Sequence, residues 1–334
     1  MKPVAIVGWS GSGQFKDLER TAVAKLGARP KDASRVGDSL VVSAGDPVDV
    51  SRRIGLLPGV SWVAVGQTFE GEGGYLKSLV ALAERYLSKG KTFRISAHAA
   101  GSGMSAGDLV LAGNSEILSS VTGSKVDERN AQVRFRVGVE GKRGVLGAEI
   151  RGGPGGTPTG GARVSCLVSG GERSACMAWM SALSGFSIRL VHAWSDDATF
   201  RQVAKLYAEL SYRMDARSLE LVVLRGKGSP WSLLGRWLRE EPGAAFAAVK
   251  PRDPNLMVKL SEKFPNLSLP MVLVQDDAVS SVYSSLGLPR MPKRASDGEI
   301  SIEALQAGGE YSVKRFGGTQ ADQNAVIDAV TGRV

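Results

Sequence analysis

The chain has 334 residues, 43% of them hydrophobic and 22% charged, a length and balance that predict two or three globular domains. Its formal net charge of +9 favours a polyanionic partner, because each phosphate neutralised by a cation releases counterions. Two cysteines, Cys166 and Cys176, argue against a disulfide framework or a Cys-rich metal site, and the lack of a signal peptide or a membrane-length apolar run predicts a cytoplasmic protein with no membrane partner.

In chain order the pattern predicts a strand over 4–7, a helix over 15–26, a strand over 39–42 and a short helix over 48–55. Gly8-Trp9-Ser10-Gly11-Ser12-Gly13 has the look of a phosphate loop but lacks the Lys-Ser/Thr ending of a Walker loop, and reads as a structural turn. From Val60 the chain predicts a strand over 60–66, then a helix over 74–87 with Leu76, Leu79, Leu82, Ala83 and Tyr86 on one face. A strand over 92–97 and a helix over 105–118 follow. Residues 131–140 alternate apolar and polar side chains strictly and read as a half-buried strand, with 144–150 as its hairpin partner. The Gly/Pro-rich stretch 151–161 is incompatible with regular structure and reads as a domain connector.

Beyond the connector, strands over 164–168, 187–192 and 219–224 alternate with helices over 174–183, 199–215 and 230–240. That alternation predicts a parallel sheet with crossover helices. The stretch 257–286 predicts a helix, a strand over 270–275 and a short helix, and the polar tail from Arg290 onward has no assigned structure. One turn stands out. Ser169-Gly170-Gly171-Glu172-Arg173-Ser174 follows an apolar strand and opens a helix, the layout in which free backbone N–H groups and the helix dipole cradle a phosphate.

Three features in sequence order resemble the tRNA 4-thiouridine synthetase family: a strand-rich segment ending Arg151-Gly152-Gly153-Pro154-Gly155-Gly156-Thr157-Pro158-Thr159-Gly160, the Ser-Gly-Gly-x-x-Ser turn, and a strand ending Val191-His192-Ala193-Trp194. Gly90-Lys91-Thr92-Phe93-Arg94-Ile95 and Lys125-Val126-Asp127-Glu128-Arg129-Asn130 look like THUMP strand signatures of that family. The resemblance covers about residues 1–230. It implies a mixed α+β half, with a ferredoxin-like domain over 1–59 and a THUMP RNA-binding domain over 60–155. A Rossmann-like α/β pyrophosphatase-loop (PP-loop) domain of the adenine nucleotide alpha hydrolase type, built on a parallel sheet, would occupy 162–290, leaving a tail over 291–334. It implies that the first two domains hold tRNA or another structured RNA through Lys91, Arg94, His98 and Arg151. ATP is the implied cofactor, with Ser169, Gly170, Gly171, Arg173 and Ser174 at its phosphates and His192 and Gly226 bordering it; Mg2+ accompanies it only in an active enzyme, and no metal ligand is assigned. In the family the PP-loop domain adenylates a uridine and sulfur then displaces AMP.

The chain departs from that pattern. The family turn ends Asp-Ser, whereas this one ends Arg173-Ser174, so a permanent cation replaces the carboxylate expected to serve the metal or the reacting base. Glu172 is adjacent but points in a different direction at a helix start. Arg225-Gly226-Lys227 stand where the family places Thr-Gly and an acidic residue. Cys166 sits mid-strand and Cys176 on an apolar helix pattern, so both read as core rather than as a sulfur relay. His192 reads as strand-end packing, and Trp231 and Trp237, beside Arg236 and Arg239, as helix core. Three readings stand open at this point. One is a tRNA-binding protein with impaired or lost adenylation and thiolation. The second is an active ATP-dependent tRNA uridine sulfurtransferase fed by a sulfur-donor protein. The third is a nucleotide-binding or structural subunit that does not act on RNA. A homodimer or an active partner chain is compatible with each.

Overall fold

A computed structural model of the chain describes residues 3–9, 15–43, 45–88, 90–101, 103–241, 243–248, 254–268, 276–285, 302–307, 310–317 and 326. Met1–Pro158 and Thr159–Val334 form two compact units.

The first unit begins with β1 (Pro3–Trp9), α1 (Phe15–Leu26), β2 (Ala33–Val36), β3 (Ser39–Val42), α2 (Pro47–Ile54) and β4 (Val60–Glu70). The βαββαβ succession and the antiparallel strand order β2-β3-β1-β4 are ferredoxin-like. Local chemistry sets the helix starts: Asp46 caps α2 by accepting the Asp49 N–H at 2.9 Å, and Pro47 supplies the pre-set first turn. β4 then serves a second purpose. Its other edge pairs with β8 (Arg143–Gly152), and the same sheet continues through β7 (Val133–Glu140), β5 (Thr92–Ala100) and β6 (Lys125–Val126). β5 runs parallel to β7 and β6, the remaining pairs antiparallel.

The alternation predicted in β7 is realised. Phe135, Val137 and Val139 are buried with Phe93 and Ile95 of β5 against Leu79 of α3 (Gly71–Tyr86) and Leu109 of α4 (Ala106–Ser120). α1 and α2 cover the other half through Leu18 and Ile54, packed on Ala5, Val7 and Val63. The opposite sheet face holds Val4, Ile6, Val36, Val41, Ala64 and Val145, all from strands.

The second unit alternates as expected: β9 (Arg163–Leu167), α5 (Glu172–Leu183), β10 (Ser187–Ala193), α6 (Asp197–Arg213), β11 (Leu219–Gly226), α7 (Pro230–Glu240), β12 (Ala245–Ala247), α8 (Pro254–Lys263), β13 (Leu267–Ser268) and α9 (Asp276–Ser285). The sheet order is β13-β12-β9-β10-β11-β14, parallel except for β14 (Tyr311–Gly317). From β9 the chain advances to β10 and β11 with α5 and α6 on one face. It then returns to β12 on the far side of β9, with α7 and α8 on the other face. Right-handed crossovers force that change of face when the direction of travel reverses. Leu233, Leu234, Trp237 and Leu238 anchor α7, each burial contributing roughly 1.5–3 kcal/mol.

Some expectations need correction or completion. Arg151 and Gly152 belong to β8, not to the irregular connector. The tail is partly structured: α10 (Ile302–Ala307) seats Leu305 in the core beside α7, and β14 pairs antiparallel along β11. That strand is mostly exposed and buries no alternating face, so the sequence carries no period to find. β2 and β12 escaped notice because they are short and poor in β-branched residues. Gly8 and Trp9, expected to open the 8–13 turn, end β1 instead; residues 10–13 of that turn and the strand expected over 270–275 lie outside the described residues.

An ion network ties β9, β10, β11 and β14 together. Glu220 accepts from Arg189 at 2.8 Å and lies 3.5 and 3.3 Å from Arg163 and Arg315, while Glu241 meets Arg189 at 3.1 Å and Arg315 more closely still. Burial pushes the Glu220 carboxyl up, but Arg189 and Arg315 outweigh it and hold the group below its usual 4.5. A carboxyl depressed in the folded state adds stability that is complete above the unfolded value and is lost as pH falls through the folded one. Glu220→Gln is therefore expected to cost about 2 kcal/mol at neutral pH, less than breaking a fully buried pair, and to flatten the loss of stability below pH 4.5. Thermal melts from neutral to acid pH check this; identical acid limbs in the two proteins would remove the network from the account.

Candidate functional site

The strand order reverses between β9 and β12, and in open α/β sheets ligands bind outside the carboxyl ends of strands at such a point. The 169–174 turn lies there. It leaves β9 through Val168, whose N–H donates to the Val191 carbonyl at 2.9 Å, so the turn is stitched to β10 up to its first residue. Gly170 has φ +81, the left-handed region, and a Cβ there would stand 3.2 Å from both the Thr199 carbonyl and the Gln202 Cβ. Glycine is thus required both by the backbone and by the approach of α6.

Gly171 is the N-cap of α5 and makes no side-chain cap. By contrast, Asp196 caps α6 by accepting the Thr199 N–H at 2.7 Å, and Ser229 caps α7 by accepting the Ser232 N–H at 3.2 Å. The first turn of α5 thus starts without a side-chain cap from its N-cap residue. Arg173 stands in that turn, where a cation opposes the positive end of the helix dipole by about 0.3–1 kcal/mol unless an anion offsets it. Ser174 is 4% exposed and its hydroxyl donates to the Gly171 carbonyl at 2.9 Å, so it braces the turn, while Ser169 is exposed.

His192 is 1% exposed. Its Nδ1–H donates to the Val168 carbonyl at 3.0 Å, which places it behind the turn as a support at the base of the cradle. Gly226 ends β11 at the same end of the sheet, and the Glu310 backbone passes so close that a Cβ would collide with it. Its glycine is accounted for by β14. The expected phosphate-turn residues therefore converge with His192 on one end of the sheet, and Gly226 lies two strands away. The sequence places Trp194 and Arg225 in two separate motifs and gives no sign that they meet. Trp194 follows the end of β10 and Arg225 is the last residue but one of β11; the Arg225 guanidinium sits 3.6 Å from the Trp194 ring centroid, and Phe200 packs 4.7 Å from the same ring. Only the register of β10 on β11 brings them together.

Both thiols are buried. Cys166 sits by Ser181 and Cys176 donates to the Val279 carbonyl; burial pushes each pKa up to about 12. Neither is poised as a thiolate nucleophile. The donors at the turn fit phosphate oxygens. A divalent metal is a poorer match: the carboxylate position is Arg173, and among the described residues no three His, Cys, Asp or Glu side chains gather as a metal site.

The expected RNA-binding residues divide. Arg94 and His98 share the face of β5 opposite Phe93 and Ile95. Lys91 donates to the Tyr86 carbonyl at 3.4 Å, closing the end of α3. Arg151 lies past an irregularity in the β4–β8 pairing, paired with Val63, and its Cδ would be 3.3 Å from a Cβ at Gly55 beside α2. That puts it on the opposite face from Arg94. Trp237 is 2% exposed and offers no stacking surface, as expected of a core residue.

No family model and no curated protein matches the sequence. Solved structures do. The chain aligns with PH1313 from Pyrococcus horikoshii Ot3 at a TM-score of 0.67 and 16% identity, over 86% of this chain and all (100%) of that one. It aligns with a 4-thiouridine synthetase in an RNA complex with bound ATP at a TM-score of 0.68 and 16% identity, over 94% of this chain and 100% of that one. The fold matches that of a 4-thiouridine synthetase. At this identity the likeness concerns the fold, with its mixed first half and Rossmann-like second half. No helix among the described residues is long and apolar enough to cross a membrane.

Proposed function

We propose that this chain binds tRNA or a similarly structured RNA through its first unit and holds ATP by its phosphates in the 169–174 turn, with adenylation and thiolation impaired or lost. The observation that carries the reading is the uncapped start of α5 behind a left-handed Gly170, at the reversal of strand order, with Arg173 in the first helical turn. A guanidinium there binds phosphate directly but neither ligates Mg2+ nor accepts a proton. RNA and ATP both accompany the structurally similar 4-thiouridine synthetase, which supports carrying the two ligands over.

On this reading 1–59 and 60–155 are ferredoxin-like and THUMP modules sharing β4, and 162–290 is a PP-loop module. Any sulfur must come from a separate donor protein, because both thiols of this chain are buried. The test is purified protein with ATP, Mg2+ and unmodified tRNA in the cytoplasmic pH range. Both ligands are expected to bind with no AMP or tRNA adenylate above background. Adenylate formation would overturn the loss of chemistry in favour of an active sulfurtransferase with an external donor. ATP binding with no RNA binding would leave a nucleotide-binding subunit instead.

A further inference from the structure

The face of the first unit's sheet that carries no helix presents guanidiniums from two neighbouring strands. Arg94 of β5 and Arg134 of β7 are direct partners in the parallel ladder, and Arg136 lies two residues further along the same face. Strands stand about 4.8 Å apart and same-face residues about 6.6 Å apart, so the three cations fill a small grid. Like charges directly opposite each other destabilise a sheet. One carboxylate serves them: Arg136 donates to Glu149 at 2.7 and 2.9 Å, and Arg134 lies 3.7 Å from it. Arg94 makes no ion pair among the described residues. Its Nη1 donates to the Glu128 carbonyl at 3.0 Å, while its Nε, shielded from solvent, has no hydrogen-bond partner.

The grid is held in place rather than left floppy. The Arg136 guanidinium lies 4.8 Å over the Trp62 ring, and its ion pair fixes its plane. Arg134 remains 41% exposed on its side chain. Planar forks in excess over carboxylates, on a sheet face whose repulsion an anion would relieve, match a run of backbone phosphates.

We propose that the RNA backbone lies across β5 and β7, held by Arg94, Arg134 and Arg136, with Arg136 pre-set by Trp62. This rests on the RNA-binding reading and specifies its surface; Arg134, Arg136 and Trp62 are its new members.

The test is a titration of the full chain against labelled tRNA at several salt concentrations, with Arg94→Ala/Arg134→Ala, Arg94→Lys/Arg134→Lys and Arg52→Ala on the outside of α2. Loss of two phosphate contacts is expected to lower affinity between about 10- and 30-fold near 0.15 M salt and to flatten the slope of log affinity against log salt by about 1.4–1.8. The lysine pair should recover most of both, and Arg52→Ala should match wild type, with all variants melting as wild type does. If the wild type binds tRNA and the alanine pair binds it equally with the same slope, the surface is wrong and RNA binding stands elsewhere. If the wild type binds no RNA, the RNA reading falls and this surface with it. Equal displacement of tRNA by polyglutamate would assign the face to acidic partners in general and overturn the proposal.

Discussion

Gly170→Val is expected to weaken ATP binding at least tenfold, to about a tenth of the wild-type affinity or less, a loss of about 1.4 kcal/mol. At φ +81 the glycine is in a conformation that costs an L-residue roughly 1–2 kcal/mol, and more for a β-branched one. The added side chain also meets the Thr199 carbonyl and Gln202 at the start of α6. The turn can escape only by rotating its peptides, and those peptides lead directly into the uncapped first turn of α5. Calorimetric titration with ATP measures the effect. Unchanged affinity, with folding intact, would show that the nucleotide does not use this turn.

The largest effect on stability is expected from Gly66→Ala in β4. Gly66 pairs in register with Gly147 of β8, and a Cβ at 66 would collide with the Leu146 carbonyl and the Gly147 Cα. The obstruction is backbone, so no side-chain rotation relieves it. The strands must part in the middle of the sheet that joins both halves of the first unit. A cost of at least about 3 kcal/mol follows, lowering the first unit's melting temperature by roughly 6–12 °C. A melt within a degree of wild type would mean that β4 and β8 separate there without penalty, contrary to the packing.

Legibility in the sequence followed periodicity and capping. α1, α7 and β3 were located to the residue because their starts carry Pro or follow clear breaks and their apolar spacing is regular. The alternation of 133–140 even placed Arg134 and Arg136 on one face, but nothing in the chain order said that Arg94, some forty positions earlier, would be Arg134's neighbour. β14 stayed hidden because an edge strand needs only hydrogen-bond partners, not an apolar face. Gly226 looked like part of a nucleotide loop, while the close passage of Glu310 explains it.

The sequence alone determined most of the longer strands and helices, that an α+β half precedes an α/β half, and that a Ser-Gly-Gly turn opens a helix with Arg173 inside it. These are local properties: a period, a cap, a left-handed glycine. Only the tertiary structure decided that the turn sits at the reversal of strand order with His192 braced behind it, that Trp194 stacks with Arg225, and that three arginines share one sheet face. Those facts depend on register and burial between distant segments, which hydrogen-bonded pairing of strands sets and no single stretch of sequence contains.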